Sequence, residues 1–252
     1  MSSEPIRVGI VGAGNITTSQ HIPKLHAMDG VEIVSVCNRS RESAQRVAEQ
    51  FDIPHTYDHW PELVKAPDTD AIVIGAWPNL HCPVTLAALA ADKHVLCEAR
   101  LARNAQEAHK MLDAALAKPH LIAQVVQTAT VLPTDRTMKR LIAEGYVGDV
   151  LAIDVNLNVT RGFIDREAPF GWRNDADIIG FDIFPLGIAC EAVLGWVGAA
   201  TRVMAMGKTV VKTRVDPESG FRRALRVPDH LDVIADMACG AQAHFGLSFI
   251  SG

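Results

Sequence analysis

Apolar residues run almost without a break over residues 6–11 and stop at Gly12-Ala13-Gly14; beyond them, apolar positions recur at helical intervals over residues 16–28. The pattern predicts a strand, a tight turn and a helix. The unit then repeats. Residues 31–37 form a β-branched run, followed by a helix carrying Ala44, Val47, Ala48 and Phe51. Residues 71–76 read as a buried strand that opens into Trp77-Pro78-Asn79-Leu80-His81, with a helix expected over 83–91. A strand over 94–97 ends in Glu98-Ala99-Arg100, a helix over 105–117 begins with Asn104 and Glu107 spaced as a capping pair, and 121–126 is the next strand. Strands alternating with helices at this spacing specify a doubly wound parallel sheet whose strand ends share one edge, where ligands bind.

The pattern changes after residue 126. A helix over 135–144 places Met138, Leu141 and Ile142 on one face, with Gly145 as its left-handed stop. Residues 149–159 alternate strictly, as expected of a half-exposed strand in an antiparallel sheet. Residues 161–177 are polar and aperiodic but carry Phe163, Phe170 and Trp172, which fits a binding segment. A helix over 183–194 follows, then strands over 201–211, 231–238 and 241–249. The last two make a hairpin about Cys239-Gly240, and 214–226 is a polar excursion.

Composition narrows the classes of function. The 252 residues carry a net charge of −5, which supplies no global attraction for nucleic acid or an anionic membrane, and no apolar run is long enough to span a bilayer. Five cysteines without C-x-x-C spacing read as reduced thiols of a cytoplasmic protein, and no metal-ligand set emerges.

The candidate chemistry therefore sits at the strand ends. Gly12 and Gly14, with Asn15 and Ile16 opening the helix, suit backbone approach to a pyrophosphate; Thr17 stands where the third glycine of G-x-G-x-x-G is usual. At the next strand end, Asn38 is neutral where an acidic residue would select NAD, and Arg39 and Ser40 follow. This favours NADP, with NAD as the alternative. In a blander reading Ser40 only caps the next helix and Arg39 is solvated.

In this order, Gly12-Ala13-Gly14-Asn15-Ile16, Asn38-Arg39-Ser40, Asp70-Ala71-Ile72-Val73-Ile74, Pro78-Asn79 with His81, Lys93 to Glu98, Gly145 to Asp149 and Trp172-Arg173 resemble the Gfo/Idh/MocA family. That family takes its name from glucose-fructose oxidoreductase, inositol dehydrogenase and a rhizopine-catabolism protein. The resemblance implies an α/β chain: a Rossmann domain over 1–122, then an α+β domain over 123–252 with a large, mostly antiparallel sheet. That sheet's face helps enclose a carbohydrate-like substrate and often makes a homo-oligomer interface. Ala76, Trp77, Pro78, Asn79, Glu98, Trp172 and Arg173 are the residues expected along the cofactor. The family continues past the strand at 241–249, so the chain reads as a short member or a fragment.

Two departures bear on catalysis. The family's fourth strand usually ends Glu-Lys-Pro, and its lysine handles the reacting proton; here the residues are Glu98, Ala99 and Arg100. Arg100 can act as an electrostatic clamp but not as a general base. The family's aspartate, followed four residues on by histidine or tyrosine, corresponds to Asp182 and Leu186. Asp182, Arg100 and His81 are the candidates facing substrate, with helix capping the alternative role for Asp182. The expected function is an NADP(H)-dependent oxidoreductase acting on a sugar or polyol. A lyase that retains its cofactor and a catalytically inactive sugar-sensing regulator are the alternatives.

Overall fold

The computed structural model describes residues 4–126, 134–158, 164–181 and 184–250. It divides into two compact units, Met1–Val126 and Gln127–Gly252.

The first unit is a six-stranded parallel sheet. Its strands are β1 (Ile6–Val11), β2 (Val31–Cys37), β3 (His55–Tyr57), β4 (Ala71–Ile74), β5 (His94–Cys97) and β6 (Ala123–Val125), in the spatial order β3-β2-β1-β4-β5-β6. Chain direction across the sheet reverses between β1 and β4, and such a switch point leaves a crevice beyond the strand ends. A π-helical turn, Thr17–His21, runs into α1 (Ile22–His26); α2 (Arg41–Gln50), α3 (Trp60–Lys65), α4 (Pro78–Ala90) and α5 (Ala105–Leu116) follow. Side chains alternate across each strand and feed two cores. Val8, Ile10 and Val73 pack with Ile22, Val36 and Val47, while Val11, Ile72 and Ile74 pack with Leu63, Val84 and Leu89. Burying one such aliphatic side chain contributes about 1.5–3 kcal/mol.

Two features depart from the sequence expectation. The pair β3 and α3 was not anticipated, because three and six residues are too short to display a period. Helix α4 begins at Pro78 rather than at Pro83, which lies inside it. A proline is accommodated in the first turn, where its missing N–H has no helical partner; Pro83 lacks the N–H that would reach the carbonyl of Asn79.

The second unit holds α6 (Asp135–Ala143), β7 (Ala152–Asn158), α7 (Ala176–Ile179), α8 (Phe184–Val197), β8 (Ala200–Lys208), β9 (Thr213–Val215), β10 (Arg222–Ala224), β11 (His230–Met237) and β12 (Gln242–Ser248). One sheet has the order β7-β12-β11-β8, and β9 pairs with β10 in a small separate hairpin inside the expected polar excursion. The strand β7 alternates as expected but pairs in parallel with β12, correcting the antiparallel expectation; alternation reports which face is covered, not strand direction. The hairpin β11–β12 and the β8–β11 pair are antiparallel, so the sheet is mixed and mostly antiparallel. One face buries Ala235, Met237, Ala243 and Phe245 beneath Val193 of α8, with Leu186 and Cys190 packed alongside. On the other face His244 bridges Asp154 (3.4 Å) and Asp232 (3.1 Å), and His230 reaches Asp232 at 2.9 Å. The bond to Asp232 pushes His244 above its ordinary value, and the bond from His244 holds Asp232 below the usual carboxylate range.

Candidate active site at the strand ends of the first unit

The exits of β1, β2, β4 and β5 carry most of the candidate residues. At β1, Gly12 takes φ +89°, and a Cβ on it would stand 2.4 Å from the backbone of Ala76, so only glycine closes this turn against β4. Thr17 is fully buried and its hydroxyl donates to the carbonyl of Gly12 at 3.1 Å. Its partner in space is Gly75, where a Cβ would lie 2.0 Å from Thr17 Oγ1. The closeness of helix and strand usually supplied by a third glycine before the helix is thus supplied from β4.

Gly14, by contrast, has no atom within 4 Å of the position its Cβ would take. Asn15 and Ile16, both exposed, continue into the first helical turn, whose backbone N–H groups lack helical acceptors. Open space over such a turn suits a pyrophosphate.

At β2, the side chain of Asn38 is engaged within the protein. Its Oδ1 accepts the N–H of Ala13 at 2.6 Å, and its Nδ2 donates to Ser43 Oγ (3.0 Å) and to the Ser43 carbonyl (3.3 Å). Asn38 thereby ties the glycine turn to α2. Ser40 caps α2 by accepting the N–H of Ser43 at 3.3 Å. Arg39 is exposed, with its guanidinium 5.5 Å from the centre of the Trp77 ring.

At β4, Ala76 and Trp77 lead into α4, where Pro78 is buried. Asn79 carries a buried Oδ1 with no hydrogen-bond partner among the described residues. An unsatisfied buried acceptor costs about 1–3 kcal/mol, so this oxygen fits a ligand that brings a donor. His81 is 1 % exposed, and its ring nitrogens face two carbonyl oxygens, Arg100 at 2.7 Å and Ala76 at 3.0 Å. It fastens the β4 exit to the β5 exit.

At β5, Glu98 places Oε1 against His21 Nε2 in a very short contact and accepts the N–H of Ala99 on Oε2 at 3.0 Å. The peptide between Ala99 and Arg100 is cis, and Arg100 is half-buried. Burial pushes the thiols of Cys37 and Cys97, at the last residues of β2 and β5, up to about 11 and about 12. Both are inert fillers at neutral pH.

The model of the oxidoreductase family GFO_IDH_MocA, NAD-binding Rossmann fold, matches residues 6–126, the whole of this parallel sheet. Over these residues the first unit is similar to the NAD-binding Rossmann part of the Gfo/Idh/MocA oxidoreductases. An uncharacterised oxidoreductase of Rhizobium meliloti is 29 % identical to it over 225 residues, 86 % of this chain and 62 % of that protein. A dTDP-3,4-didehydro-2,6-dideoxy-α-D-glucose 3-reductase of Actinomadura kijaniata is 26 % identical over 222 residues, 84 % of this chain and 66 % of that protein. An oxidoreductase domain protein from Kribbella flavida superposes with a TM-score of 0.85 at 25 % identity, covering 99 % of this chain and 69 % of that structure. The chain therefore spans a little under two thirds of the first of these relatives.

Trp172 and Arg173, which the resemblance places along the cofactor, lie in the second unit, in a short 3-10 turn where the guanidinium sits 4.2 Å from the indole centre. Asp182 lies outside the described residues. Leu186 packs against the hydrophobic core of the second unit. His21 was not anticipated from sequence. It falls four residues beyond Thr17 with nothing local to connect it to Glu98, 77 positions away.

Proposed function

We propose that this chain belongs to an NADP(H)-dependent oxidoreductase that passes hydride to or from a hydroxyl or carbonyl carbon of a sugar, polyol or related compound. The observation that carries the reading is the open cradle over Gly14 at the switch point of the sheet, with the unsatisfied Asn79 oxygen beside the β4 exit. Gly12, Gly14, Asn15 and Ile16 would hold the pyrophosphate. Arg39 would receive the adenosine phosphate with Ser40 next to it, and the neutral Asn38 raises no charge against that phosphate. Ala76, Trp77, Pro78, Asn79 and Glu98 would line the nicotinamide end, and Trp172 and Arg173 of the second unit are further candidates for cofactor contact.

When bound, the nicotinamide supplies the hydride acceptor or donor, and the protein supplies position and proton management. Asp182 and Arg100 would orient substrate hydroxyls. His81, locked between two carbonyls, would keep the β4 and β5 exits in register. The reductase from Actinomadura supports a sugar carbonyl as the reacting group. The second-unit sheet leaves Met204, Met206 and Ile234 exposed, which supports homo-oligomer formation through that face. Among the described residues no helix is long and apolar enough to cross a membrane, and the free cysteines support a reducing cytoplasm.

A spectrophotometric screen of cyclic polyols and pyranoses with NADP⁺, and of their ketones with NADPH, tests the reading. Cofactor reduction or oxidation by at least one member is expected. Cofactor binding with no redox change across the panel would instead favour a lyase or a regulator, as the alanine at position 99 allows.

A further inference from the structure

The described strand ends hold several side chains relevant to proton traffic, and their surroundings separate them. His81 has both ring nitrogens against carbonyl oxygens and is almost wholly buried, so it presents no free nitrogen to a ligand. Arg100 stays protonated, and Ala99 has no functional group. His21 and Glu98 remain. They are bonded to each other, with side chains only 14 % and 18 % exposed, between the helix that follows the glycine turn and the exit of β5. Glu98 occupies one oxygen with His21 and the other with the N–H of Ala99, so its carboxylate is fixed in place. The Nδ1 of His21 has no hydrogen-bond partner among the described residues.

An imidazole held at one nitrogen by a partly buried carboxylate, with the other nitrogen available, is the arrangement in which the carboxylate sets the tautomer and the imidazole exchanges a proton. We propose that His21, oriented by Glu98, is the acid–base group of this active site, taking over the proton transfer that the missing lysine at position 99 would perform. The inference rests on the oxidoreductase reading above.

The balance for alcohol oxidation is complete. A bound oxidised nicotinamide would take the hydrogen of the substrate C–H bond with both electrons. The O–H bond breaks, its proton passes to Nδ1 of His21, and its electron pair forms the C=O bond. Nε2–H remains bonded to Glu98, so the product imidazolium faces a carboxylate. Reduction of a ketone reverses each movement.

Two variants and two readouts test this. A glutamine at 21 still donates to Glu98 but exchanges no proton, so His21→Gln separates chemistry from positioning; Glu98→Gln removes the orienting charge. NADPH binding by His21→Gln, followed by fluorescence, is expected within about two-fold of wild type. Its turnover of the best alcohol in a panel led by myo-inositol and D-glucose is expected to fall at least about 100-fold, with the acidic limb of the pH–rate profile lost. Independently of turnover, ¹⁵N NMR of labelled protein is expected to show the Nε2–H tautomer at His21 in the wild type and a mixture in Glu98→Gln. Wild-type turnover and pH profile in His21→Gln would overturn the proposal, as would an Nδ1–H tautomer in the wild type. No turnover by the wild type on any alcohol, with the tautomer as expected, would overturn the oxidoreductase reading and the catalytic role with it, leaving His21 and Glu98 as a structural pair.

Discussion

Thr17 and Gly75 share one site: the threonine hydroxyl occupies the position that any side chain at residue 75 would need, 2.0 Å from where its first carbon would stand. The helix after the glycine turn can approach β4 only because residue 75 is glycine. Gly75→Ala is therefore expected to lose about 1–3 kcal/mol of stability, read from denaturant midpoints, as overpacking of a tight core does. A midpoint equal to wild type would mean that the turn relaxes freely.

Gly14→Ala provides the contrast. Nothing surrounds its Cβ position, and its φ is not in the left-handed region, so thermal stability is expected to change little. Its methyl group would stand where the cofactor backbone approaches. A Kd for NADPH raised at least about 10-fold, with an unchanged melting midpoint, is the expected result.

The open face of the second-unit sheet gives a pH signature. His244 is held above its ordinary value of 6.5, so its contribution is complete below that pH and is lost as pH rises through its raised value. Asp232 is held below 3.8, so its contribution is complete above that pH and is lost as pH falls through its lowered value. The gap in melting midpoint between wild type and Asp232→Asn should therefore be widest between pH 3.8 and 6.5 and narrow at alkaline pH. Both side chains are more than a third exposed, so added salt should also shrink the gap. A gap that grows with alkalinity would contradict the assignment.

The thiols should separate by reactivity. Burial raises Cys37, Cys82 and Cys97, while Cys239 is exposed at the β11–β12 turn. A thiol reagent at neutral pH is expected to label Cys239 first and to reach the three buried thiols only on unfolding. Rapid labelling of Cys97 in the native protein would show that the β5 exit opens readily.

The parallel sheet was legible in the sequence because its long strands are apolar on both faces and its turns carry glycine. What escaped had a physical cause. The short β3 and α3 show no period, and Pro83, where the helix was expected to start, lies inside a helix that begins at Pro78. The alternation of β7 marked its covered face but not its parallel partner. At the strand ends, the glycine turn at Gly12 and the helix cap at Ser40 followed from local chemistry. The engagement of Asn38 with Ala13 and Ser43, the locking of His81 and the pairing of His21 with Glu98 are contacts made across the fold, which no local pattern encodes.

The proposed function requires the first unit to bind NADP(H) with Arg39 as the phosphate contact. Its most direct test is a fluorescence titration of the wild type and Arg39→Asp with NADPH and NADH. Tighter binding of NADPH by the wild type is expected, with a loss of about 10- to 100-fold in NADPH affinity in the variant, the worth of one charge-assisted contact, and NADH binding largely retained. Equal wild-type affinity for the two cofactors, or an unchanged NADPH affinity in Arg39→Asp, would contradict it.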